Sequence, residues 1–142
     1  PIDLRNEIIS IFDENIKDKG FLITIISFGF KYGVPIDSNL VFDVRFMPNP
    51  YYVDTLKEKT GNEKEIQDYV MNSQDSIKFL EKLKDMLLFL LPMYIKEGKN
   101  HLVISIGCTG GKHRSVTVSN IIYDFLKDQK YNVFKKHRDY LN

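Results

Sequence analysis

The amino-acid sequence predicts an α/β domain of three layers, a largely parallel sheet flanked by helices. Three observations carry that prediction. Residues 21–28, FLITIISF, are an unbroken β-branched and aromatic run, the composition of a strand covered on both faces. Runs of this kind alternate with segments of helical periodicity, which argues for layered α/β architecture. Residues 103–115, VISIGCTGGKHRS, pass from an apolar run through a glycine-rich turn into a basic helix start.

Taken in order, Leu4, Ile8, Ile11, Phe12 and Ile16 recur at helical spacing. Residues 3–18 are therefore expected to form an amphipathic helix, with Asp3 as its N-cap and Gly20 as its stop. The strand at 21–28 follows, then a loop at 29–37, GFKYGVPID. VFDVRF at 41–46 reads as a second strand, interrupted by Asp43 and Arg45 and ended by Pro48 and Pro50. Residues 51–72 read as helix broken near Gly61, where Asn62 and Glu65 resemble an N-terminal box. Ser73 or Asp75 is suited to cap a long helix whose Ile77, Leu80, Leu83, Leu87, Leu91 and Tyr94 share one face. Pro92 is expected to kink or end that helix. His101–Ile106 is the third strand. Lys112 to about Lys127 is a helix with Val116, Ile121, Ile122, Phe125 and Leu126 facing inward, and a short fourth strand covers Tyr131–Phe134.

The 142 residues suit one domain, spanning 1–142. A net charge of +1 creates no global field that would draw nucleic acid or membrane, so electrostatic function must come from local clustering. The single cysteine, Cys108, favours a reducing compartment. The longest apolar stretches, at 21–30 and 86–95, fall short of the ~20 residues of a membrane span. The N-terminus is charged where a secretory signal needs an apolar core. These features predict a soluble, cytoplasmic protein without a membrane partner, and the missing initiator Met hints at a piece of a longer one.

The glycine turn carries the chemistry. In an open α/β sheet, ligands sit beyond the carboxyl ends of the strands. A helix start offers unpaired amides and a positive dipole end, both favourable to an anion. Gly107, Gly110 and Gly111 let the backbone approach a ligand closely. Lys112, His113 and Arg114 put positive charge in the first turn, which is unfavourable by roughly 0.3–1 kcal/mol each unless an anion offsets it. That misfit points to a bound anion. The spacing is not a Walker A loop, because Gly107 and Gly111 enclose three residues rather than four and His113 follows the lysine. Cys108, five residues, then Arg114 and Ser115 resemble the phosphate loop of protein tyrosine phosphatases. Gly107 stands where that family has His, however, and no aspartate loop is evident to protonate a leaving group. A phosphatase using Cys108 and Arg114 is therefore the alternative. The preferred expectation is a binding site with no catalytic residue, metal or cofactor.

Four segments, ITIISFGFKYGVPID (23–37), VFDVRFMPNPYY (41–52), TGNEKEIQDYV (60–70) and IGCTGGKHRSV (106–116), together resemble the C-terminal domain of the RapZ/YvcJ family. These are bacterial nucleotide-binding proteins, also described as RNase adapter proteins. The resemblance runs from about residue 4 to the end. It implies a phosphosugar-enzyme-like α/β domain that binds an amino-sugar metabolite, glucosamine-6-phosphate in enterobacterial members. It also implies that the complete protein has an N-terminal Walker-type domain binding and hydrolysing ATP or GTP. That motif is absent here, so no NTPase activity is expected of this chain. The family domain also binds small regulatory RNA and presents it to an endoribonuclease, which adjusts amino-sugar synthesis for the cell envelope, and family members form homo-oligomers.

Under this reading the phosphosugar cradle is Thr109, Gly110, Gly111, Lys112, His113 and Arg114, within the loop Gly107–Ser115 that includes Cys108. Ser27, Lys31 and Tyr32, around the end of the first strand, are expected to line the same crevice. Tyr32 stands where enterobacterial members are expected to carry His. Asp43 and Arg45 either pair with each other or face the ligand, and Asn49, between two prolines, has the same two readings. Lys127, Lys130, Lys135, Lys136, His137 and Arg138 form a basic strip that either contacts RNA phosphates or is a solvated tail. RNA binding is expected to disappear on removing residues 135–142.

Overall fold

The computed structural model describes residues 20–142, and the helix expected over 3–18 lies outside them. Four strands, β1 (Leu22–Gly29), β2 (Leu40–Asp43), β3 (His101–Cys108) and β4 (Asn132–His137), make one parallel sheet in the order β2-β3-β1-β4. Three helices flank it: α1 (Lys64–Met71), α2 (Gln74–Glu97) and α3 (Arg114–Asp128). This is the three-layer α/β class the sequence predicts.

β3 is buried from Leu102 to Cys108, as its apolar composition requires. It pairs with β1 from Leu22↔His101 to Gly29↔Cys108, so the two central strands end level and their following loops begin side by side. The chain then leaves β1 past β3 towards β2, and leaves β3 past β1 towards β4. Central strands whose connections diverge in this way open a crevice at their carboxyl ends. Beneath it the core is made of fully buried Ile23, Ile25, Leu87, Leu91, Leu102, Ile104, Ile106, Ile122 and Leu126. Burying each such side chain contributes about 1.5–3 kcal/mol.

Several boundaries differ from expectation. β2 stops at Asp43 because Val44 turns fully inward and donates its amide to the Gly107 carbonyl at 2.9 Å. Of residues 51–72 only α1 is α-helical, preceded by a 3-10 turn at Pro50–Tyr52 and further turns. The pair that orders the entry to α1 is Thr60 and Glu63, not Asn62 and Glu65: the Thr60 amide donates to Glu63 Oε2 at 2.7 Å, while Glu65 pairs with Lys59. Ser73 rather than Asp75 caps α2, its hydroxyl accepting the Ser76 amide at 3.0 Å.

α2 also runs through Pro92 to Glu97. Pro92 lies on the exposed side, where water can reach the carbonyl that a proline leaves unpaired. Leu91 is fully buried, and Tyr94 and Ile95 pack on the core, so the last turn stays docked. Gly98, at φ 103°, ends it. β4 extends to His137, three residues beyond the expected Phe134, so Lys135, Lys136 and His137, half of the basic strip, lie in an edge strand rather than a tail. Among the described residues, no helix is long and apolar enough to cross a membrane.

Candidate functional site

A cleft of about 390 Å³ opens at the carboxyl ends of the strands. Its walls come from the segments following all four: Lys31 after β1, Asn49 to Glu58 after β2, Cys108 to Arg114 after β3, and Asn142 after β4. The glycine turn forms its floor. Gly111 adopts φ +79°, a conformation side chains rarely tolerate, and a Cβ at Gly29 would lie 2.4 Å from the Gly110 carbonyl carbon. The end of β1 and the turn thus pack backbone to backbone. The buried Asp139 carboxylate holds this junction, accepting the Gly29 amide at 2.9 Å.

The amides of Gly110, Gly111, Lys112 and His113 donate to no acceptor among the described residues, and the positive end of α3 follows at once. Arg114 is 6% exposed. Its Nη1 donates to the Arg45 carbonyl at 2.5 Å and the Met47 carbonyl at 3.4 Å, and its Nη2 to Thr109 Oγ1 at 3.4 Å. Its Nε is buried with no partner among the described residues. Lys112 reaches Glu58 on the opposite wall at 3.6 Å, and the Gly61 amide donates to the Lys112 carbonyl at 2.9 Å. His113 Nε2 lies 3.0 Å from the Lys57 carbonyl, to which it donates. Three contacts therefore latch the turn to residues 57–61. The lining carries Lys31, Lys57, Lys112 and Arg114 against one acid, Glu58. Such a surface, with free amides at its base, is suited to hold an anion.

The family model described as the RapZ C-terminal domain matches residues 21–141. The chain belongs to this family. Relatives named "Nucleotide-binding protein" include those of Clostridioides difficile strain 630 (55% identical over 139 residues), Clostridium novyi strain NT (56% over 140) and Alkaliphilus oremlandii strain OhILAs (54% over 136). The matches cover 98%, 97% and 96% of this chain, but 49%, 47% and 47% of those proteins. The chain thus spans about half the length of the curated relatives it matches.

Of the residues expected at the site, Lys31, Asn49, Cys108, Thr109, Gly110, Lys112, His113 and Arg114 line the cleft. Others serve it from beneath. Gly107 is covered by the Phe28 and Phe30 rings, and Gly111 packs on Gly29 and Asp139. Ser115 is fully buried, and its Oγ accepts from Cys108 Sγ at 3.1 Å. Ser27 does not line the crevice: it is fully buried, and its hydroxyl meets His137 Nδ1 at 2.7 Å. Tyr32 is exposed beside Lys31 and outside the lining. Asp43 and Arg45 pair with each other, Nε reaching Oδ1 at 2.9 Å and Nη2 reaching Oδ2 at 2.5 Å. The guanidinium holds the Asp43 carboxyl below the usual carboxylate range. Sequence reasoning missed Tyr51, Tyr52, Lys57 and Glu58, because it treated them as a helix rather than as the segment leaving a strand's carboxyl end.

The RNA strip divides. Lys127, Lys130 and Lys136 are exposed. Lys135 donates to Asn120 Oδ1 at 2.9 Å. His137 bridges Ser27 and Asn120, and Arg138 donates to the Gly33 carbonyl at 2.5 Å and to Asp139. The last two are parts of the frame rather than a free basic surface.

Burial holds both His113 and His137 below the usual imidazole range, with Lys135 adding repulsion at His137 and Lys112 and Arg114 adding it at His113. The unfolded chain therefore takes up protons first as pH falls through about 6.5. Stability is expected to be full above that pH and to decline below it. Thermal melts from pH 7.5 to 5.5 should show a falling Tm, and His137→Gln should flatten the slope. An unchanged slope would remove His137 as a contributor.

Proposed function

We propose that this chain is a metabolite-sensing regulatory domain that binds a phosphorylated amino sugar, glucosamine-6-phosphate or a nucleotide sugar, without covalent chemistry. The observation that carries the reading is the set of amides at 110–113 without acceptors among the described residues, beside the buried Arg114 whose Nε also has no partner among them, on the floor of a cationic cleft. A phosphate brings about 1.5–2 negative charges and three acceptor oxygens to such a set. Asn49 and Glu58 supply polar groups for sugar hydroxyls and an amine. The family resemblance supports the wider role: part of a homo-oligomeric nucleotide-binding adapter that adjusts amino-sugar synthesis, with ATP or GTP handled by another domain. Small RNA and an endoribonuclease are its further partners under that reading, with Lys127, Lys130 and Lys136 as the exposed contacts.

Calorimetry with glucosamine-6-phosphate, a UDP-amino sugar and inorganic phosphate tests the proposal. A sugar phosphate should bind more tightly than phosphate alone, and no heat from any of the three sinks the reading. The alternative, attack by Cys108 on a phosphate, draws on the position of the thiol in the cleft lining, where it contacts the buried Ser115 hydroxyl beneath. It requires turnover of an aryl phosphate that Cys108→Ser abolishes, whereas the binding reading expects no turnover by the unaltered chain.

A further inference from the structure

Beyond the phosphate cradle the cleft has a second end of different chemistry. Tyr51 and Tyr52 leave the 3-10 turn that follows Asn49 and stand 52% and 81% exposed. Their backbone is not loose: Pro50 is buried, and Asn49 Oδ1 accepts the Tyr51 amide at 3.1 Å. The rings meet edge to face, centroids 5.6 Å apart at 90°. Lys57 Nζ lies 4.7 Å from the Tyr51 ring centroid, so Tyr51 is held between a cation and its neighbour while Tyr52 stays open. Lys31 and Lys57 pair with no carboxylate among the described residues and instead lie over tyrosine rings. The cations of the cleft thus come from three segments, after β1, after β2 and in the glycine turn. A ligand with a second phosphate offers charge to the cations outside the turn as well as to those in it.

We propose that Tyr52, braced by Tyr51, is a stacking platform for a nucleobase, and that the preferred ligand is a nucleoside diphosphate sugar. Its diphosphate reaches the 109–114 cradle and the outlying lysines, and its base lies on Tyr52. The assignment rests on the phosphate-binding reading of the cradle and deepens it, choosing the nucleotide sugar and naming the residue that takes its base. A flat aromatic face tolerates any base, so selectivity among bases is expected to be modest.

Calorimetry on the whole chain separates the two readings. UDP-N-acetylglucosamine should bind more tightly than N-acetylglucosamine-1-phosphate, and a factor of about 5 to 150 within that advantage, the usual worth of one base–aromatic stack, should depend on Tyr52. Tyr52→Ala should remove that factor while changing the affinity for the sugar phosphate less than about twofold, and Tyr52→Phe should restore it. The high exposure of Tyr52 makes both variants compatible with folding, which a thermal melt checks. Equal affinity of the unaltered chain for the two ligands overturns the platform, as does an equal loss of both on Tyr52→Ala. A 5′-phosphorylated oligoribonucleotide that binds more tightly than the nucleotide sugar, and depends on Tyr52, also overturns it in favour of RNA. If neither sugar phosphate nor inorganic phosphate binds, the cradle itself has failed. Binding of those two without a nucleotide advantage overturns only the platform.

Discussion

Arg114→Ala is expected to weaken glucosamine-6-phosphate binding by about 100-fold or more. Two hydrogen bonds from a charged donor contribute roughly 1.5–3 kcal/mol each, and every 1.4 kcal/mol is tenfold in affinity. Arg114 is placed for this because its carbonyl contacts to Arg45 and Met47 fix one edge of the guanidinium while Nε has no partner among the described residues. The same contacts make Arg114 part of the frame, so the alanine variant also leaves two carbonyls unpaired, at about 1–3 kcal/mol of stability. Arg114→Lys separates the effects. It keeps the charge and loses the planar fork, and about a tenfold loss of affinity is expected. Calorimetry and a thermal melt on both variants give the comparison. An alanine variant that melts lower but binds within threefold of the unaltered chain would assign Arg114 to the frame alone.

Two neighbouring glycines should respond oppositely to the same change. A Cβ at Gly29 would meet the Gly110 carbonyl carbon at 2.4 Å and its oxygen at 2.6 Å, backbone atoms that cannot rotate aside. Gly29→Ala is expected to cost about 3 kcal/mol, a Tm lower by roughly 10 °C, and to displace the turn that carries the free amides. A Cβ at Gly110 meets nothing within 4 Å. Gly110→Ala should therefore melt within about 0.5 kcal/mol of the unaltered chain and weaken ligand binding by occupying cleft space. Similar melting of the two variants would mean that the close approach of β1 to the turn is not a constraint.

Much of this was legible in the sequence, for identifiable reasons. FLITIISF and the run VISI before the glycine turn have no charged residue, proline or glycine to interrupt them, so their strand character survives any packing. The turn's glycines and basic residues break local rules in a way that only an anion or a close backbone approach resolves, and both reasons apply to different glycines. Asp43 and Arg45 were ambiguous because a pair two residues apart, leaning on each other outside the sheet, has the same sequence as a pair facing a ligand. Pro92 does not end its helix, because it faces water, and periodicity does not say which way a proline faces. The basic residues 135–138 were read as surface because charge is visible in a sequence and an edge strand's partners are not. Tyr51 and Tyr52 carry no periodic signal in a segment without regular helix, so only the direction of the preceding strand brings them to the crevice.

The buried Asp139, its carboxylate bound to the amide of Gly29 and its Cβ packed beside Gly111, has a practical bearing on how RNA recognition is tested. Trimming the chain from its carboxyl end past this residue removes the keystone of the anion cup, and trimming to residue 134 also strips half of β4 from the sheet. A shortened protein that no longer retains RNA would be reporting a collapsed scaffold. Charge reversal at the exposed Lys136, with the carboxyl terminus intact, asks about the nucleic acid alone.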